Sequence, residues 1–289
     1  MQKCSNLWEE IKEQIYRGGD DTKQSYRPKL ATIKTLMEHL KGILFCNIVG
    51  VAATDDLESC FSSSYRILRE EVNRACKLNL LEPRDESVDH IDSVISRFFN
   101  ALPDIQRSLE DDIDAAFRGD PSIFNKIDVI TSLPSLNALA HYRVAHLLYV
   151  LGVPTLPRFM SFKAQGESGI DIHPGAKIGR GVFMDHGTGI VIGETAVIGD
   201  NVRIYQGVTL GAKNFPKDQN GQLKKGLPRH PIVGSDVVIY AGATILGRIS
   251  IGNEAIIGGN VWVTKDIPDK ARVSQTPYRE YDFNQGAGI

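Results

Sequence analysis

The stretch GIDIHPGAKIGRGVFMDHGTGIVIGETAVIGDNVRIYQGVTLGA, residues 169–212, decides the fold. Within it an aliphatic side chain returns every six residues at Ile172, Ile178 and Met184, then, after a two-residue slip, at Ile192, Ile198, Ile204 and Leu210. Past a break the rhythm resumes at Val233, Ile239, Ile245, Ile251, Ile257 and Val263. Four residues after most of these stands a small or β-branched residue (Ala176, Val182, Ala196, Val202, Ala243, Ala255, Val261). Glycine often follows directly, as at Gly179, Gly193, Gly199, Gly252 and Gly258. Six residues are too few for a helical repeat. They suit one short strand plus a turn, with the aliphatic residue inside and glycine relaxing the bend. A fixed short period marks a solenoid whose rungs stack on their neighbours. At three strands per coil, thirteen hexads predict about four coils of a parallel β-helix.

Upstream the character changes. Of 27 glycines, 6 fall in residues 1–160 and 21 in residues 161–289. The glycine-poor half reads as helices. SSSYRILREEVNRACKL (62–78) opens with hydroxyl residues suited to an N-cap and spaces Ile67, Leu68, Val72 and Ala75 by helical steps. DSVISRFFNAL predicts a second helix, and Asp104 through IQRSLEDDIDAAF a third that stops near Gly119. Asp120-Pro121 then reads as a cap followed by proline at the first helical position. In SLNALAHYRVAHLLYVLG (135–152) Ser135 is the expected cap and Gly152 the stop, and Pro154 and Pro157 close the segment. His141 and His146 read as ordinary helical histidines. The expected organisation is therefore α+β: a helical N-terminal domain over 1–160, a β-helix over 161–275 with a protruding loop at 212–231, and a flexible tail at 276–289.

Composition excludes several classes. Lys plus Arg (33) nearly balances Asp plus Glu (35), for a net charge of -2, so no global field draws the protein to nucleic acid or to an anionic membrane. No apolar run approaches the roughly 18 to 20 residues of a membrane span. The start, MQKCSNLWEEIKEQ, is acidic and amphipathic, unlike a secretory signal. Cys4, Cys46, Cys60 and Cys76 show no metal-ligand spacing and read as reduced thiols of a cytoplasmic protein.

The strings IDIHPGAKIG, MDHGTGIVIGET and RHPIVG (229–234), with GDPS and LNALAHYRVAH upstream, closely resemble the serine acetyltransferases. These belong to the hexapeptide-repeat acyltransferases, whose β-helix is left-handed, an exception to the right-handed crossover rule. The resemblance runs from about residue 60 to 275, plus the chain end. It implies transfer of the acetyl group of acetyl-CoA, the co-substrate, to the hydroxyl of L-serine, the first step of cysteine biosynthesis from serine.

Such a transfer needs the hydroxyl deprotonated as it attacks, and a neutral imidazole suits that task near pH 7. His186 falls where the six-residue rhythm slips, a place where a functional side chain is aimed outward. By resemblance Asp171, fifteen residues away and so close to one coil, orients His186 from a neighbouring rung or subunit. Arg229 offers a bidentate grip on a carboxylate, with His230 beside it. Asp120 and Asp185 match the family's acidic positions for the ammonium group. Gly211, Ala212, Ala241 and Gly259 match its small positions along the coenzyme A groove, and a backbone N–H near Gly211 or Ala212 is a candidate for the oxyanion. With no cysteine beyond Cys76, a cysteine acyl-enzyme on the β-helix is excluded, and direct attack is the simpler route.

The resemblance also implies a homotrimer paired into a hexamer, with sites between neighbouring subunits. It implies feedback inhibition by L-cysteine at the serine site, and docking of the terminal Ile289 into O-acetylserine sulfhydrylase. The loop 212–231 is longer than in many relatives; Lys213, Lys217, Lys224 and Lys225 either meet coenzyme phosphates or form a solvated face. Two other readings stay open. A γ-type carbonic anhydrase uses the same helix with zinc on three histidines, for which His173, His186 and His230 supply the residue type, although Pro174 and Pro231 follow two of them and the family's zinc strings are missing. The other is a scaffold, or a transferase for another hydroxyl acceptor such as a sugar; Asp171, Asp185 and Arg229 favour a zwitterionic acceptor over a sugar, and acetyl-CoA with no metal is the expected cofactor set.

Overall fold

The computed structural model describes residues 29–49, 54–78 and 88–275. Cys4 and the tail with Ile289 lie outside the described residues. The chain divides into two compact units: Met1–Pro103 with Val144–Met160, and Asp104–Arg143 with Ser161–Ile289. Eight helices lie among the described residues, and α5, α7 and α8 each contribute to both units.

The first unit begins with α1 (Leu30–Leu44), α2 (Cys46–Val49), α3 (Thr54–Leu78) and α4 (Val88–Asn100). α1 buries Ile33, Leu36, Met37, Leu40 and Leu44, one stripe at helical spacing. α3 turns the expected stripe Ile67, Leu68, Val72 and Ala75 inward, and α4 buries Ile91, Val94, Ile95 and Phe98. Arg69 of α3 pairs with Asp92 of α4 at 2.7 Å. α3 begins eight residues before Ser62, so the serine cluster lies within the helix and does not cap it, with Ser64 fully buried. The acidic Asp56 and Glu58 near its start favour the earlier N-terminus. α5 (Leu102–Gly119) and α6 (Lys126–Ser132) follow, then α7 (Pro134–Val150) and α8 (Leu156–Ser168). Gly152 ends α7 as expected: its φ is +80°, its N–H reaches the Tyr149 carbonyl and that of Val153 the Leu148 carbonyl. Ser135 is not the cap, because Pro134 already opens α7.

Among the described residues of the second unit, fourteen short strands form three parallel sheets. One stacks β1 (Asp171–Ile172), β4 (Val191–Ile192), β7 (Thr209–Gly211), β10 (Thr244–Leu246) and β13 (Trp262–Val263). The next stacks β2 (Lys177–Ile178), β5 (Val197–Ile198), β8 (Ile232–Val233) and β11 (Ser250–Ile251). The third stacks β3 (Phe183–Asp185), β6 (Arg203–Tyr205), β9 (Val238–Ile239), β12 (Ile256–Ile257) and β14 (Arg272–Val273). This is the expected parallel β-helix, with helices before it. Of the thirteen hexad positions all are buried except Ile178, which is half-buried.

The coils number about five, not four. The last was hidden because Ile256 pairs with Arg272 and Ile251 bridges Ile267, both sixteen residues on, so the hexad count loses step. The remaining spacings explain the slip and the break. Val191 pairs with Thr209 eighteen residues on, whereas Asp171 pairs with Val191 twenty residues on. Thr209 pairs with Thr244 thirty-five residues on, so the loop leaves and rejoins without displacing a rung. The first strand opens at Asp171, because α8 continues through Ser168 and spans the expected boundary at 160/161. At one corner Gly181, Asn201, Asp236, Glu254 and Lys270 repeat φ between +56° and +67°, a column of left-handed turns in which glycine is one solution among several.

The same unit docks helices on the first coils through buried polar groups. Arg143 of α7 grips Asp112 of α5 with two hydrogen bonds, 2.7 and 2.8 Å, and donates to the Gly179 carbonyl at 2.8 Å. Asp112 accepts the Val182 N–H at 2.9 Å. Tyr142 donates to the Ala176 carbonyl and accepts the Ile178 N–H. Burial pushes the Tyr142 hydroxyl up, so it remains a donor.

Candidate active site

Two clusters stand at opposite ends of β4. The first gathers where the slip falls, before the strand. β3 ends at Asp185, and the chain turns sharply through His186 (φ +57°) and Gly187 (φ +79°), with the Gly187 N–H on the Asp185 carbonyl at 2.6 Å. A left-handed backbone at a histidine is sterically costly. It throws the imidazole outward, with 74% of the side chain exposed. Asp185 is buried; its Oδ1 lies 3.7 Å from His186 Nε2 and its Oδ2 accepts from Arg203 at 2.6 Å. One rung along, Arg203 lies 5.0 Å from the Phe183 ring centre and 4.8 Å from that of Tyr205. Tyr205 in turn stacks on Tyr240 at 5.1 Å.

Asp120 joins this cluster from the end of α5. It does not cap a helix: Pro121 and Ser122 form a turn, and α6 starts later, capped by Asn125. The Asp120 carboxylate accepts from Ser122 Oγ (2.7 Å) and N (2.8 Å), a side-chain-closed turn. Those bonds, first the hydroxyl and then the N–H, hold the Asp120 carboxyl below its ordinary range; the charges of His186 and Arg203 add to them. Burial, followed by the charges of Asp185, Tyr240 and Asp120, pushes the Tyr205 phenol up against the pull of Arg203. Asp171, at the start of β1, is half-exposed, and the carboxylate beside His186 within the chain is that of Asp185.

The second cluster lies beyond the other end of β4. His230 is buried over Gly193, where a Cβ would overlap its ring. Its Nδ1 accepts the Thr195 N–H at 3.0 Å and lies 2.9 Å from Thr195 Oγ1. Arg248 donates to the carbonyls of Thr195 and His230. Burial, aided by the cations Arg229 and Arg248, lowers the His230 imidazole to about 4 against the pull of Glu194. Arg229 pairs with Glu194 at 2.7 Å. Burial raises the Glu194 carboxyl, but that bond and the charges of His173, Arg229 and His230 outweigh it and leave the group lowered.

From this edge the loop leaves as a hairpin. Asp218 accepts the N–H groups of Asn220 and Gln222, and Lys217 bridges Leu223. The loop encloses a cavity of about 550 Å³. Lys213, Lys224 and Lys225 line it together with Arg229 and Arg248, while Lys217 does not.

The chain thus brings Asp120, Asp185 and His186 together at one edge and Arg229 with His230 at the other. No hydrogen bond or ion pair among the described residues joins the two groups. The small positions divide likewise. Gly211 ends β7 with Ala212 after it, at the loop edge, whereas Ala241 and Gly259 stack on successive coils, 3.2 Å from the Ala241 oxygen to where a Gly259 Cβ would stand. No group of three or more His, Cys, Asp or Glu side chains among the described residues is placed to hold a metal ion. Arg203, Tyr205, Glu194 and Thr195 were not singled out from the sequence. Arg203 registers with Phe183, twenty residues back across the slip, and reaches Asp185 from there, so the six-residue rhythm does not point to the pair.

Repeat and sheets together define a hexapeptide-repeat β-helix protein. No protein-family model matches the chain. The plasmid serine acetyltransferase of Synechococcus elongatus is 51% identical over 200 residues, covering 69% of this chain and 63% of the relative, so the match spans less than two thirds of that protein. The serine acetyltransferase of Helicobacter pylori is 44% identical over 156 residues, 54% of this chain and 86% of the relative. Among solved structures, Entamoeba histolytica serine acetyltransferase 1 in complex with L-cysteine superposes with a TM-score of 0.74 at 32% identity, covering 91% of this chain and 94% of that one. The chain belongs to the serine acetyltransferase family.

Proposed function

We propose that this chain acetylates L-serine from acetyl-CoA, with His186 as general base. The cluster of Asp120, Asp185 and an outward His186 at one turn of the β-helix carries the reading. The His186 imidazole takes the serine hydroxyl proton as the oxygen attacks the thioester carbonyl. The tetrahedral intermediate collapses, the carbon–sulfur bond breaks, and the imidazolium returns its proton to the leaving thiolate. Asp171 orients the ring. Asp120 and Asp185 hold the ammonium group, Arg229 with His230 the carboxylate, and Gly211, Ala212, Ala241 and Gly259 line the path of coenzyme A. A backbone N–H at Gly211 or Ala212 meets the oxyanion.

Because no hydrogen bond or ion pair among the described residues joins the two binding groups within the chain, a complete site draws them from neighbouring subunits, as in a homotrimer or a pair of trimers. L-cysteine, found bound in the Entamoeba relative, is nearly isosteric with serine and inhibits by filling the same contacts. Ile289 docks on O-acetylserine sulfhydrylase, and the protein works in the cytoplasm. No helix among the described residues is long and apolar enough to cross a membrane.

The test is release of coenzyme A thiol from acetyl-CoA with L-serine, L-homoserine or sugars as acceptor. Serine-dependent release is expected, with a preference over homoserine of about 10-fold to 200-fold, the worth of a methylene in a pocket. Release with a sugar alone points to another hydroxyl acceptor. Replacing His186→Ala should lower kcat by about 10² to 10⁴; full retained activity refutes the base.

A further inference from the structure

Arg203 is held on every side. Its Nη2 lies 2.6 Å from Asp185 Oδ2, and its guanidinium carbon sits 5.0 Å from the ring centre of Phe183 and 4.8 Å from that of Tyr205. Its Nε is buried with no hydrogen-bond partner among the described residues. Phe183 is itself pinned, since a Cβ on Gly119, the residue before Asp120, would stand 2.9 Å from it. An arginine that leaves a donor unsatisfied to lie between two rings is placed for its charge and direction more than for its hydrogen-bond count.

The charge count around His186 shows what that placement does. Asp185 faces it from its own strand and Asp120 from the turn after α5; Arg203 and Tyr205 flank Asp185 from β6, with Tyr240 behind. Two carboxylates beside an imidazole favour the imidazolium, which cannot take a proton. One guanidinium against one of them leaves a single net negative charge for a single ammonium. We propose that Arg203 is a positioning residue: by pairing with Asp185 Oδ2 it fixes that carboxylate, leaves Oδ1 for the substrate ammonium, and offsets one of the two carboxylate charges that face His186. This rests on the reading of His186 as the base.

The test compares Arg203→Met, Arg203→Lys and Asp185→Asn by the pH profile of kcat/KM for L-serine, and by histidine-ring NMR titration of the same proteins without substrate. Arg203→Met should carry the acid limb, and the midpoint of the His186 ring titration, upward by about one pH unit, the low end of the effect of a nearby charge because His186 is exposed. It should also raise KM for serine about tenfold while leaving KM for acetyl-CoA alone. Arg203→Lys should restore the acid limb but not the KM. Asp185→Asn should move the limb the opposite way. A folded Arg203→Met protein with unmoved limb and midpoint overturns the proposal. If that variant fails to fold, an unmoved or raised midpoint in Asp185→Asn overturns it equally. The ring titration needs no turnover, so failure here is told apart from failure of serine acetylation, which thiol release by the parent protein reads.

Discussion

His230 and His186 share a residue type and have opposite environments. His186 stands in solvent on a left-handed turn, while His230 is buried over Gly193 with its Nδ1 spent on Thr195. Burial and two neighbouring arginines lower His230 to about 4, so in the folded chain it stays neutral as pH falls from 6.5, where the unfolded chain takes up a proton. The stability this neutral ring supports is therefore intact above pH 6.5 and is lost progressively towards pH 4. Ring NMR should show His230 neutral at pH 5, and unfolding at that pH should take up an added proton; a ring that titrates between pH 6 and 7 contradicts the buried acceptor role. At this scale the sequence was legible where a motif carried the residue. MDHGTG and RHP led to His186, Asp185, Arg229 and His230. Arg203 was not legible, because in NVRIYQ it reads as an ordinary outward position and its partner lies one coil away. Asp120 carried two readings: its carboxylate does face the cluster, while the helix cap drawn from Asp120-Pro121 is a closed turn.

Between elements, the Asp112–Arg143 pair decides how helices meet the first coils. Burial pushes the Asp112 carboxyl up, and the Arg143 charge, the Arg143 hydrogen bond and the Val182 N–H pull against it. Removing one member strands a buried charge, so Asp112→Ala should cost about 3 to 5 kcal/mol in urea unfolding. Replacing both partners by apolar residues of similar volume should cost far less. A loss below about 1 kcal/mol in the single variant would show the pair to be solvated. The strands were legible because a period of six is enforced by packing at every rung. The helices were legible only in part. α1 has an unbroken apolar stripe yet lacks a capping side chain, α6 is only seven residues long, and α8 begins between two prolines that read as breaks.

For the whole molecule, the placement of His186 and Arg229 in separate clusters gives a clear expectation. His186→Ala and Arg229→Ala proteins, each strongly impaired alone, should regain part of the parent thiol release when unfolded together and refolded. Mixed assemblies then contain sites with both residues intact. No recovery in verified mixed oligomers would place the complete site within one subunit. The thirty-five-residue coil has another consequence. Thr209 pairs with Thr244 as directly as Thr244 pairs with Trp262. The hairpin is thus a branch hung on a lattice that does not register its length. A protein built this way can exchange the wall of its loop cavity as a cassette while its scaffold stays the same, so that the surface the loop presents and the foldability of the coils are inherited separately.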